Sequence, residues 1–520
     1  MFDLIKRKLN AVFSERHDRA DSPPQLAGIL DRDLEHFSPV AGEDLIVRLI
    51  LLPTERPIRA ALVFLDSMNE QQIIGDMVLQ PLLGATGKLG DGRDTRKTIE
   101  RLGNSVLKVG NLAYSSDVVS LRQSLVGGDC LLLVDGSTLG LTLGTAKAPE
   151  RAISEPNTER LVRGSQAGFT EHLTTNVSLI RRRLRDADLV LEKMTIGERS
   201  NTQVGIIYLR DLVRDELVAE VKHRLSRICI DSIPESGYIE QLIEDNPWSI
   251  FAQVGNSERP DVLVSKLLSG RMGIIVDGTP VVLTVPMLFV EGLQSAEDYY
   301  SRMWYASLVR MVRFVALFIA TALPALYVAL ASYHQELIPT PLLVTMAAAA
   351  EGTPFPAYLE VLALGVVFEI LREASLRLPA NVGQAVSIVG TLVIGQAAIQ
   401  AGLFGAPVII VAAVTALSSF VATPHSDASA ILRFLFAIAA GFSGLFGMLI
   451  ASLFVLVHLC SLKSFGSIYL APLAPFNAAG QLDVLVRAPL WLMRKRPAAL
   501  GAKDSQRFAK APAEPGRKKR

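Results

Sequence analysis

Four ionisable residues, Glu369, Arg372, Glu373 and Arg377, stand at the head of a long uncharged stretch in FPAYLEVLALGVVFEILREASLRLPANVGQAVSIVGTLVIGQAAIQAG, residues 355–402. An ionised side chain at bilayer depth costs about 2.5 to 3.5 kcal/mol, so such groups pair, line water or sit at the interface. The four residues therefore read as a satisfied charge network at a membrane boundary, next to a polar pathway or a gate. On a helix running on from Gly383, a turn of 100° per residue brings Gln384, Ser387, Thr391, Gly395 and Ala398 within about 40° of one line, while Val386, Val389 and Val393 face elsewhere. Two readings of that stripe stand side by side. Small residues let membrane helices pack closely. Alternatively, hydroxyl and amide groups line a pore, with Glu369 or Glu373 forming an acidic ring that favours cations.

Other chemistry is hard to place on this chain. The segment GATGKLGDG (84–92) departs from GxxxxGK[ST] in glycine spacing and has Leu89 in place of the hydroxyl that reaches Mg²⁺, so it reads as a surface loop. The histidines are scattered, without HExxH, and His425 and His458 read as packed or interfacial residues. Cys130, Cys229 and Cys460 form neither a disulfide framework nor a CxxC pair, which favours a reducing compartment. No GxSxG offers a nucleophile. The expectation is a protein that is not an enzyme, with no cofactor and no metal.

The elements that must position the charged cluster divide the chain in two. Up to about Tyr305 charges are frequent, whereas 315–332, 383–401, 406–423 and 434–462 contain no Asp, Glu, Lys or Arg. The first of these would span about 27 Å, close to a hydrocarbon core of about 30 Å. Trp304 and Tyr305, with Arg302, Arg310 and Arg313, fit an aromatic and cationic belt ahead of the first span, and Pro324 should kink that span. Segment 333–356 lacks Lys and Arg, which places it outside. Counting 357–371 as a crossing gives five spans and strands the basic tail outside, so 340–378 is read as the irregular, re-entrant part.

The first half contains a diverged repeat. ALVFLDSMNEQQIIGDMVLQPLL (from Ala61) aligns with VGIIYLRDLVRDELVAEVKHRL (from Val204), each an apolar strand entering an amphipathic helix. At a similar offset, GDCLLLVDGSTLGLTL matches GRMGIIVDGTPVVLTVP, two hairpins turning through Asp135-Gly136 and Asp277-Gly278 as type I′ turns. The fold class expected is an α+β cytoplasmic N-terminal region of two similar subdomains followed by an all-α multipass transmembrane domain. The divisions are 1–39, an extension; 40–150, subdomain 1; 151–194, a charged connector; 195–300, subdomain 2; 301–470, the transmembrane domain; and 471–520, a basic tail.

In the connector, Glu159, Arg160, Arg163 and Glu171 belong either to a solvated, charge-paired linker ending in Arg181, Arg182 and Arg183 or to an interface strap. The tail, rich in Lys, Arg, Pro and Ala, reads as a positive-inside anchor or a solvated end rather than a nucleic-acid site, since no aromatic-interleaved basic surface accompanies it. MFDLIKRKLN has no apolar signal core, so the soluble half is expected in the cytoplasm.

Three passages, SEPNTERLVRGSQAGFTEHLTTNVSLIRRRL, DGTPVVLTVPMLF and FEILREASLRLPANVGQAVSIVGTLVIGQAAIQAG, resemble the A subunit of GerA-type spore germinant receptors, and the likeness runs from about 40 to 490. It implies a multipass protein of the inner spore membrane, beside a permease-like B subunit and a lipoprotein C subunit. It further implies a homo-oligomeric, pentameric, nutrient-gated channel releasing monovalent cations, and it supplies no catalytic residues. A secondary transporter would usually show an inverted repeat among its spans. A non-conducting membrane scaffold is the third reading.

Overall fold

The computed structural model describes residues 24–507 except 87–88, 90–93, 147–154, 157–158, 160, 162, 378–394, 422–424 and 479. The soluble half is one arrangement built twice. Leu45–Leu52 (β1), Ile58–Leu65 (β2), Leu112–Ser115 (β3), Cys130–Val134 (β4) and Gly140–Leu143 (β5) form an antiparallel sheet in the order β1-β2-β4-β5-β3. Leu189–Ile196 (β6), Thr202–Leu209 (β7), Gly255–Ser257 (β8), Met272–Val276 (β9) and Val282–Val285 (β10) repeat that order as β6-β7-β9-β10-β8.

The central strands β4 and β9, CLLLV and MGIIV, are buried throughout because both sheet faces are covered. Successive residues alternate between the two cores: Leu132 and Val134 join one, Leu131 and Leu133 the other. Helix Val118–Val126 (α1) contributes Leu121 and Leu125 to the second of these. In the second unit Leu173–Arg183 (α2) and Pro260–Leu267 (α5) cover one face, and Asp215–Ser226 (α3) and Ser236–Ile243 (α4) the other. Packing draws each unit wider than its sequence boundaries: Leu26, Leu30 and Phe37 lie in the core of the first, and α2, from the connector, in the second.

The DG turns differ from the expected two-residue type. The loops run over 135–139 and 277–281, and only Gly136 (φ 80°) and Gly278 (φ 95°) take positive φ. The aspartates act through their side chains instead. Asp135 accepts from the Leu30 N–H at 3.1 Å and Asp277 from the Leu173 N–H at 2.9 Å. Their glycine neighbours donate to Gly28 O (2.9 Å) and Glu171 O (2.7 Å), so each turn pins the helix that precedes its own unit's strands.

The helical half comprises Met303–Ser332 (α6), Thr340–Ala350 (α7), Ala357–Arg377 (α8), Ala406–Val421 (α9) and Ser426–Ser461 (α10), with a short helix Gly395–Gln400 before α9. Among the described residues, α6 is long and apolar enough to cross a membrane, as is α10 if its 36 residues are taken end to end. Residues 357–377, read as part of an irregular stretch, form a regular 21-residue helix.

The uncharged run 434–462, read as one crossing, is in fact a helical hairpin. Backbone angles inside α10 leave the helical region at Ser443 (φ −142°) and Gly444 (φ 59°). His425 at its start stacks on Phe289 with ring centroids 4.7 Å apart, and His458 near its end lies 6.2 Å from Phe251, which itself contacts Phe289 at 6.3 Å. A straight helix would hold those histidines about 50 Å apart. Both ends of α10 therefore meet the soluble half, while the turn meets the far end of α6, where Tyr333 donates to Gly441 O at 2.6 Å. Beyond the hairpin, Ser464 donates to Gln253 O at 2.7 Å, so the chain re-enters the soluble half.

Candidate functional site: an ion-pair cluster between apolar helices

Glu369 on α8 receives Arg372 at 2.7 Å from one turn ahead and Arg433 of α10 at 3.3 Å. The Arg433 side chain is 6% exposed; its Nε donates to Ala320 O on α6 at 3.1 Å, and its guanidinium lies 5.4 Å from the Phe368 ring centroid. Glu373 and Arg377 are not part of this group. They form their own i,i+4 pair on the exposed end of α8, Nε to Oε1 2.7 Å, with side chains 59% and 79% exposed. The predicted network is therefore two separate pairs, and its buried member, Arg433, was missed. The signal was present: Arg433 immediately precedes an uncharged run, where a cation needs a carboxylate partner.

Beside the cluster is a cavity of about 30 Å³ bounded by Pro324, Gly365, Phe368, Thr415, Arg433 and Phe434. Of the stripe, Gln384, Ser387 and Thr391 lie outside the described residues. Gly395 opens the short helix, where a Cβ would stand 3.7 Å from Ile409 of α9, and Ala398 is buried.

In the connector, the Glu159 carboxylate accepts from Ser257 Oγ at 2.7 Å and its carbonyl from Arg259 at 3.2 Å, so this residue is held by the chain's own second unit. Burial pushes its pKa upward. Arg163 and Glu171 are exposed, and Arg160 lies outside the described residues.

The helical half is fastened to the soluble half by a second charged group. Arg310, expected in an interfacial belt, is buried: Nε donates to Asp298 at 2.9 Å and Nη1 to Asp483 at 2.8 Å, while Arg313 also reaches Asp298 at 2.8 Å. Arg487 donates to Ser301 O at 3.0 Å, tying the segment after the hairpin to the entry of α6. Trp304 and Tyr305 remain exposed. His425 and His458 are packed, bonding Phe289 O at 3.1 Å and Ser249 Oγ at 3.0 Å. Among the described residues no three His, Cys, Asp or Glu side chains converge as metal ligands would.

An ion-pair cluster wedged between apolar helices, fused to a doubled α+β region, is the architecture that comparison with known proteins has to explain. Residues 34–499 match the Bacillus/Clostridium GerA spore germination protein family, and the chain belongs to it. Spore germination protein KA of Bacillus subtilis (strain 168) is 42% identical over 473 residues, 90% of this chain and 86% of that one. Spore germination protein GerLA of Bacillus cereus is 36% identical over 449 residues, 86% and 90% of the two chains. The crystal structure of the N-terminal domain of the A subunit of the Bacillus megaterium spore germinant receptor GerK3 aligns with 52% of this chain and 98% of its own, at 32% identity and a TM-score of 0.39.

Proposed function

We propose that this chain is the A subunit of a spore germinant receptor and works as a homo-oligomeric, nutrient-gated channel subunit that releases monovalent cations across the inner spore membrane. Membership of the GerA family supports the germination role. The observation that carries the membrane reading is the Glu369–Arg433 pair, held at 3.3 Å between helices whose outward faces expose Phe318, Ile370, Ile410 and Phe442. Charge inside and apolar side chains outside suit a bundle surrounded by lipid. The hairpin supports a single answer for the tail: with both ends of α10 at the N-terminal half, the basic segment and that half are assigned to one side, the cytoplasm. The family likeness adds the remaining parts of the proposal, a pentamer and its permease-like B and lipoprotein C partners.

Spores in which this complex is the sole nutrient receptor test the proposal. Cation release on nutrient addition should be lost when the chain is deleted and restored when it is returned. Release that persists without the chain would contradict it.

A further inference from the structure

Pro324 lies inside α6 and has no N–H, so the carbonyl four residues earlier, Ala320 O, is left without its helical donor. Among apolar helices such an acceptor needs another partner. Arg433 supplies it: Nε reaches Ala320 O at 3.1 Å from the first half of α10. The same guanidinium holds Glu369 on α8 at 3.3 Å and lies 5.4 Å from the Phe368 ring centroid. One buried side chain thus joins three helices, and it grips α6 at the backbone atom that the proline frees.

The cavity of about 30 Å³ touches Pro324, Thr415 and Arg433, leaving room beside the proline. At Gly365 the two partner helices are already in close contact, since a Cβ there would come 3.1 Å from the Phe434 ring.

We propose that Arg433 is the positioning residue for α6 at Pro324, a latch standing in for the missing N–H of that proline. Because Glu369 shares the guanidinium, the hold on α6 at Ala320 O and the hold on α8 rest on one side chain. This holds whether or not the bundle conducts ions.

The test is a double-mutant cycle on the full chain, purified in detergent with any partners it requires. Pro324→Ala restores an N–H at residue 324 and should make Arg433 partly dispensable. Arg433→Gln alone should lower the melting temperature, and at least half of that loss should disappear in Pro324→Ala/Arg433→Gln. Arg433→Lys should retain more stability than Arg433→Gln. Arg181→Ala, far from Pro324, serves as the control and should gain nothing beyond additivity from Pro324→Ala. If Arg433→Gln cannot be purified, its abundance in membranes replaces melting, with recovery expected in the double variant. Equal losses with and without the proline, or equal rescue of the Arg181→Ala control, would overturn the proposal.

Discussion

Asp44 and Arg181 meet at 2.6 Å with side chains 1% and 0% exposed, and the pair joins the two sheets of the soluble half. Asp44 lies beside β1 and also accepts from Ser67 N at 2.9 Å, while Arg181, in the last turn of α2, donates to Ala41 O at 3.2 Å. Replacing one partner leaves a buried charge alone. Arg181→Leu or Asp44→Leu should each destabilise the soluble half by about 3 to 5 kcal/mol, and Asp44→Leu/Arg181→Leu should cost less than the two singles added. Chemical unfolding followed by near-ultraviolet circular dichroism checks both statements.

Glu240 on α4 titrates unusually high. Burial, with Glu244 and Glu235 nearby, pushes its pKa up to about 7 from 4.5. A raised carboxyl favours the protonated folded form, so its contribution is fully present below about pH 4.5 and is lost as pH rises through 7. Glu240→Gln should flatten that dependence and exceed the wild type by about 1 to 2 kcal/mol at pH 8. Melting curves at pH 5 and pH 8 decide it; an equal gain at both pH values would contradict the assignment.

Gly444 turns the α10 hairpin at φ 59°, where a Cβ would stand 2.8 Å from His334 and 2.9 Å from Tyr333. Gly444→Ala therefore combines backbone strain with a clash, and membrane abundance should fall several-fold. The hairpin also fixes sidedness. Protease reaching the soluble half in oriented vesicles should cut the tail beyond Arg487 as well. A tail protected under those conditions would refute the hairpin.

Glu369 and Glu373 are four residues apart on one helix yet should behave very differently. Glu373→Ala/Arg377→Ala removes an exposed pair and should change stability by less than about 0.5 kcal/mol. Glu369→Leu leaves the buried Arg433 unpaired and should cost about 3 to 5 kcal/mol. Arg372→Ala should fall between them, since Glu369 keeps Arg433. Abundance and melting of the full chain rank the three.

The parts of the architecture legible in the sequence were those written in local pattern. The repeat shows because β4 and β9 are all-apolar runs ending in DG, and residues of that type at that spacing leave few alternatives. What the aspartates do was not legible, because Leu30 and Leu173 lie about 105 residues from their acceptors. Arg181 read as part of a solvated triplet, since its partner Asp44 is 137 residues away. In the helical half, a run of uncharged residues records length but not direction, so the reversal at Gly444 was invisible. Pro324 announced a bend. Nothing local announced that Arg433, 113 residues beyond Ala320, supplies the donor that Pro324 lacks.

The proposal that this subunit conducts, taken with the pore reading of the stripe through Thr391, is tested most directly by single-channel recording of the purified oligomer with its partners. The account predicts cation steps that appear with nutrient, are blocked by Thr391→Leu, and leak without nutrient in Thr391→Ala, while oligomer yield stays unchanged. Intact oligomers that show no conductance with nutrient, or stripe variants that lose assembly without altering conductance, would contradict it.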